Sequence, residues 1–528
     1  MTRYLLLATH VPPSGGHGGI VRYTVALARA LARRTDVELH VLARADAAGF
    51  FGGFLPAGRV HTVPALPTAA LSLAERLGVL GALRSERFDV VHGTKHIVPV
   101  AARGATRVLT VHDMLLLDRP GDFPLPKRVL LRGPYRGSIR DSDVLVAVSR
   151  AGRDRVLDHV PAAARRTAVV PLAVSPDLTD GPSEPVTALD GRTFALVVGD
   201  ASRRKNLDLA VGTWTRVRAQ VPGAVLAVVG PRPWGAEERG GAEWDRLVAD
   251  GALVQLRGVP DAQLRWCYEH AAAVLCPSLV EGFGLPTVEA AAFGTRLVTS
   301  DDPALCEASG GWGTPSAAWS ADDWVATVAA ALRPDAPTAT PPEPRTWDDV
   351  AAETVAAVLR RGEPAAAPSA RIGVSPYRAP LRVLHVVAPG DATTTAAVEE
   401  LVRAHRQQGW KTDVAADLDP AGTGEFDVVA LHGTAAGRLR AQLRGRVPTV
   451  VFAGTSGPRG PAAVLREARL ARWTNALVLP AGADRRWDRV PAPLTRLRAA
   501  GLAADPDDVA AILVRARAWG GVSQGSAR

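Results

Sequence analysis

Cysteine is scarce, with three in 528 residues, and their positions (267, 276 and 306) lack the paired spacing of a metal site or disulfide framework. At helix, strand and helix-flank positions, Cys267, Cys276 and Cys306 read as reduced core residues, which points to a cytoplasmic location. Long apolar runs are missing as well. No stretch approaches the roughly 20 residues that a membrane-spanning helix needs. The N-terminus, MTRYLLLATHVPP, has one arginine and a very short apolar run before His10, so it reads as a first strand and not as a secretory signal. Aromatic residues make up 5% and are not interleaved with basic ones. With no helix-turn-helix signature or zinc-finger spacing beside them, nucleic acid is the least supported partner.

What is present is an ordinary core-forming share of apolar residues, 47%, and a net charge of +9. The basic excess favours anionic partners such as nucleotide sugars or an anionic membrane surface. The length corresponds to about three domains.

The chain opens as a doubly wound α/β domain. A strand, YLLLA, is followed by the Gly-rich loop PPSGGHGGI and an amphipathic helix, VRYTVALARALARR. The loop lacks G-x-G-x-x-G spacing, so no dinucleotide fingerprint is assigned. Further strands are expected at 37–44, 89–91, 107–114, 143–150 and 167–174. His112 and Asp113 end the fourth of these six strands, where ligands of parallel sheets bind. A histidine capping the strand by local hydrogen bonds would satisfy the same pattern. Lys127, Arg128, Arg132, Arg136 and Arg140 are spaced to share a helix face, either simply solvated or turned toward an anionic membrane surface or acceptor. The Pro-, Gly- and Ser-containing stretch 175–191 reads as an interdomain linker.

A second series of strands follows at 194–200, 224–230, 252–260 and 274–276. After the first of them, Arg204, Lys205 and Asn206 precede a helix, placing two cations where a diphosphate would need them. Residues 274–300 carry the densest chemistry: VLCPSLVEGFGLPTVEAAAFGTRLVTS. A short strand leads into a loop with Glu281, Gly282, Phe283 and Gly284. Pro286 and Thr287 then open a helix that carries Glu289 and stops at Gly294. A Gly-containing turn at a helix N-terminus presents amides to an anion, and carboxylates accept hydrogen bonds from hydroxyls. A ligand with both groups is a nucleotide sugar.

EGFGLPTVE resembles the Glu-x7-Glu motif of the retaining glycosyltransferases of family 4, which have the GT-B fold: two doubly wound Rossmann-like domains facing a cleft. The resemblance covers residues 1 to about 361 and implies a first domain at 1–180 and a nucleotide-sugar-binding domain at 190–361. By it, Glu281 sits at the donor sugar and Glu289 holds the ribose hydroxyls. The amides of Gly282, Phe283, Gly284 and Leu285 face sugar and diphosphate. Gly18 and Gly19 match the glycine pair against the donor, His112 matches a histidine near the donor sugar or the acceptor, and Arg204 and Lys205 match the cations that neutralise the leaving diphosphate. Gly230 and the backbone near Val259 match positions packed against the base. The activity implied is retaining, metal-independent transfer from a nucleoside-diphosphate sugar to an acceptor hydroxyl of a glycan, glycolipid or small molecule, with no separate cofactor. Sugar-nucleotide epimerisation, phosphorolysis and a non-catalytic sugar-nucleotide-binding scaffold are the alternatives, along with membrane-surface assembly through the basic segment. The location implied is the cytoplasm, with peripheral contact at the inner face of the membrane.

Residues 362–380 form a Pro/Ala/Ser linker. Beyond it, 381–528 repeats the first half: LRVLHVVAPG parallels the opening strand and loop, FDVVALHGT echoes FDVVHGT, and TVVFAGT, ALVLPAGAD and RVPAPL follow in order. Thr393, Thr394 and Thr395 stand in place of the glycine pair and Ala453 in place of His112. No counterpart of the second domain follows. A third Rossmann-like α/β domain is therefore expected, degenerate and non-catalytic, serving to dock, oligomerise or bind a partner.

Overall fold

The computed structural model describes residues 1–360 except 17, 67, 81–82, 84–85, 101, 103, 119–122, 124, 201, 231–240, 317–320 and 338–339. Beyond these it describes 382–387, 392–407, 411–415, 428–432, 449–452, 476–479 and 496–498. The chain forms two compact units, 1–368 and 369–528.

The first unit holds two parallel sheets. In the first, β1 (Thr2–Leu7), β2 (Val37–Arg44), β3 (Val60–Val63), β4 (Val90–Gly93), β5 (Thr106–Val111), β6 (Val144–Ala147) and β7 (Thr167–Val169) lie in the order β3-β2-β1-β4-β5-β6-β7. Val90–Gly93 and Val144–Ala147 are buried along their whole length, as strands covered on both faces must be. In the second, β8 (Phe194–Val198), β9 (Val225–Val229), β10 (Leu253–Leu256), β11 (Ala273–Cys276), β12 (Leu297–Ser300) and β13 (Thr314–Ser316) lie in the order β10-β9-β8-β11-β12-β13. Both sheets reverse direction beside their first strand, the topology that opens a ligand crevice at the strands' carboxyl ends.

The chain leaves the first domain after β7 and returns in the helix Trp347–Leu359. That helix begins with a capping box between Thr346 and Asp349. Trp347 Nε1 donates to the carbonyl of Val174 at 3.0 Å, tying the two crossings together. Trp347, Val350, Ala351 and Val355 join Tyr23, Leu27 and Leu31 in the core of the first domain. The three cysteines are free, and Cys306 lies within the helix Pro303–Ser309 rather than at its flank.

The second unit has one parallel sheet of β14 (Arg382–Val387), β15 (Lys411–Ala415), β16 (Val428–His432), β17 (Thr449–Phe452), β18 (Ala476–Leu479) and β19 (Arg496–Arg498). Their order is β15-β14-β16-β17-β18-β19, which repeats β2-β1-β4-β5-β6-β7 of the first sheet. The last strand falls after RVPAPL and not on it. Pro491 and Pro493 have no N–H for a ladder, whereas Arg496–Arg498 does. Thr393, Thr394 and Thr395 lie in the first turn of the helix Ala392–Gln407. Ala453 lies outside the described residues.

Candidate active site

Strand order explains how residues far apart in the chain meet. Because β8 and β11 are neighbours, their carboxyl-end loops lie side by side, and Leu279 N donates to Arg204 O at 2.7 Å between them. Glu281 follows β11, and the 3-10 turn Arg203–Lys205 follows β8. The Glu281 carboxylate takes Arg204 Nη1 on Oε2 at 2.8 Å and Lys205 Nζ on Oε1 at 2.6 Å. Burial alone would raise its pKa, but the two cations outweigh that and hold it at about 2. Burial likewise opposes charge on Arg204, yet Glu281 and Asp200 raise its pKa above the ordinary arginine value. Val197, Gly199, Lys205, Ser278, Glu281 and Gly284 border one narrow pocket.

The glycines of this loop answer to close contacts. A Cβ on Gly282 would lie 1.7 Å from the carbonyl oxygen of His112. Gly284 adopts the left-handed conformation (φ 100°) as N-cap of the helix Leu285–Ala292, and a Cβ there would come within 2.3 Å of Leu305. Phe283 is buried in the core of the first domain, although its backbone belongs to the second. Gly18 (φ 112°) precedes the helix Gly19–Arg33, and Gly19 faces Leu285, 3.5 Å from where its Cβ would be.

His112 is buried at the end of β5. Its Nε2 lies 2.9 Å from the carbonyl oxygen of Thr94, and its ring meets the edge of Tyr23 with centroids 4.7 Å apart. Burial, reinforced by His96, lowers its pKa to about 4. The imidazole is thus neutral at pH 7. Since a carbonyl only accepts, Nε2 carries the proton and Nδ1 is left as an acceptor. Glu289 is buried within its helix, where it accepts a hydrogen bond from Tyr268 Oη and lies 3.8 Å from Arg22 Nη1. Burial raises its pKa against the opposing pull of Arg22.

The structure therefore brings Gly19, His112, Arg204, Lys205, Glu281, Gly282, Gly284 and Leu285 to one cleft. Gly230 lies against the end of β8, with a Cβ position 1.9 Å from Gly199 O. Val259 packs on the apolar cluster beside β8, β9 and β11.

Several residues of the cleft escaped the sequence reading. Arg22 pairs with Asp261 as well as approaching Glu289, so it reaches from the helix after the glycine pair into the second domain. Ser149 Oγ donates to Gly282 O at 2.6 Å. Arg155 donates to Glu281 O at 3.0 Å and pairs with buried Asp302 at 3.1 Å. Of these, only Ser149 carried a signal, a serine directly ahead of a helix. Among the described residues one group, His40, His61 and Glu86, brings three metal-donor atoms within 4.8 Å of one another, on the β2–β3 edge and away from Glu281. There His40 and His61 share a 3.0 Å hydrogen bond and Arg3 pairs with Glu86. No helix among the described residues is long and apolar enough to cross a membrane.

Residues 17–178 match the model for Glycosyltransferase Family 4, and residues 183–332 match the one for Glycosyl transferases group 1. The chain belongs to the family 4 glycosyltransferases. It is 29% identical over 337 residues to a D-inositol 3-phosphate glycosyltransferase of Xylanimonas cellulosilytica, covering 56% of this chain and 80% of that one. It is 26% identical over 242 residues to the O-antigen chain mannosyltransferase B of Escherichia coli, covering 43% of this chain and 61% of that protein's length. Among solved structures, a sucrose-phosphate synthase from Thermosynechococcus elongatus aligns with a TM-score of 0.49 at 16% identity, over 68% of this chain and 95% of that one. An Anabaena protein solved with UDP-glucose gives 0.48 at 15% identity, over 68% and 96%. In this family 4 chain, Glu281 stands with the two cations, whereas Glu289 stands with Tyr268 and Arg22.

Proposed function

We propose that this chain transfers a sugar from a nucleoside-diphosphate donor to an acceptor hydroxyl, with retention of configuration and without a metal. The observation that carries this reading is the pairing of Arg204 and Lys205 on buried Glu281, beside the N-terminus of the helix Leu285–Ala292. Departure of a nucleoside diphosphate builds negative charge on its phosphate oxygens. Arg204, Lys205 and the amides from Gly282 to Leu285 are preorganised donors for that charge, and such donors often supply the largest catalytic term. Glu281 orients sugar hydroxyls, while its own charge is held by the two cations. His112 offers Nδ1 to a further hydroxyl, and Glu289, fixed by Tyr268, takes those of the ribose. In front-face attack the leaving phosphate oxygen receives the acceptor's proton, so no carboxylate nucleophile on the opposite face is required.

Lys205→Ala and Glu281→Gln are expected to lower the rate of nucleoside diphosphate release by about 10²–10³-fold, the usual effect of removing one such donor. Melting transitions should stay sharp in both variants. Near-wild-type rates in both would remove the site assignment. Release that needs no acceptor would favour epimerisation or phosphorolysis. Inversion at the anomeric carbon, read by proton NMR, would remove the retaining mechanism.

A peripheral contact with anionic lipid is also proposed, because Arg132, Arg136 and Arg140 are exposed at intervals of one helical turn on Leu125–Asp141, near exposed Leu130. Salt-sensitive binding to phosphatidylserine vesicles is the expected result, and no binding at low salt would exclude it.

A further inference from the structure

A second cavity, of about 340 Å³, lies where the two domains are joined, and it shares no lining residue with the pocket around Glu281. Both crossings border it. Val170 begins the first, while Arg345, Glu353 and Arg360 belong to the second. Arg150, at the start of the helix Arg150–His159, and Glu307 complete the wall.

Its charges do not balance. The Glu307 carboxylate is engaged by the backbone amides of Arg150 and Ala151, at 2.9 and 3.2 Å, where it caps that helix from the other domain. Glu353 is engaged by Arg345 Nη2 at 2.8 Å. Both anions are thus already bound. Arg345 Nε is buried and has no hydrogen-bond acceptor among the described residues. The exposed guanidinium groups of Arg150 and Arg360 have no carboxylate partner among the described residues either. Guanidinium forks match phosphate oxygens two at a time, and a buried N–H without an acceptor is a standing demand for one. The volume lies in the range of small-molecule sites and exceeds the needs of a bare phosphate.

We propose that this interdomain cavity binds a phosphate group, carried on a small organic molecule, through Arg150, Arg345 and Arg360. The site is separate from the donor site and does not depend on the reading given to Glu281.

Calorimetric titration of the full chain at fixed ionic strength tests it, with glucose 6-phosphate, inorganic phosphate and glucose as probes. Lys205→Ala serves to remove phosphate attraction at the other site. Saturable binding of the phosphorylated probe is expected in the wild type and in Lys205→Ala, with no binding of glucose. The double variant Arg150→Ala/Arg360→Ala should weaken it at least tenfold, and Arg150→Lys/Arg360→Lys, which keeps the charge but loses the fork, should fall between. Tighter binding of glucose 6-phosphate than of phosphate supports the organic ligand, and equal binding assigns the site to free phosphate alone and overturns that part. Unchanged affinity in the double alanine variant, or loss of binding in Lys205→Ala alone, overturns the proposal.

Discussion

His112 shows how burial decides what a side chain can do. Its position at the end of a strand was legible from the apolar run RVLTV, but its protonation was not. That depends on Thr94 and His96, which approach only in the folded sheet. The folded pKa of about 4 lies below the ordinary 6.5, so between those values the unfolded chain binds the proton more tightly. The stabilisation is complete above pH 6.5 and is lost as pH falls toward 4, at about 1.4 kcal/mol per pH unit. Denaturant melts of wild type and His112→Gln at pH 6.5, 5.5 and 4.5 should show the variant losing stability more gently by that slope. Identical slopes would mean that His112 titrates normally. Glu281 was legible too, through its spacing from Glu289. Its triple engagement with Arg204, Lys205 and Ser278 was not, since 77 residues separate it from Arg204 and only strand adjacency closes that gap.

Among the elements, the loop from Pro277 to Gly284 concentrates the constraint. Gly282→Ala places a methyl group on the backbone of His112, which no side-chain rotation can relieve. The loop must shift, so the expected outcome is a fall in transfer rate of at least about tenfold, as for small misplacements of catalytic groups, together with a lower melting temperature. A variant with wild-type kinetics and melting would show that the loop yields freely. Most strands could be read from Val/Leu/Ala runs bounded by Gly and Pro. Two edge strands, Val60–Val63 and Thr314–Ser316, could not: they are short, and one contains a proline. Arg22 was invisible for a different reason. On its own helix it is one more arginine on a polar face, and only the approach of the second domain gives it Asp261 and Glu289.

At the scale of the molecule, residues 1–368 form a compact unit containing every residue of the proposed site. A chain ending after Pro368 is expected to retain transfer activity within about threefold, since domains with their own core generally fold alone. Loss of activity on a shared acceptor, with donor binding intact, would assign residues 369–528 to acceptor delivery. The repeat of strand order in the second unit was legible from echoed segments such as FDVVALHGT, because parallel strands keep their apolar runs even where site residues diverge.

Phe283 gives the cleft a property that its polar groups do not. It is carried on the loop of one domain and seated in the core of the other. Drawing the domains apart therefore wets a phenylalanine ring, an exposure of roughly 1.5–3 kcal/mol. The same motion strips Ser149 from Gly282 and Glu307 from its helix. Parting the domains and loosening the loop around Gly282 are thus a single event, coupled through an apolar side chain as well as through hydrogen bonds.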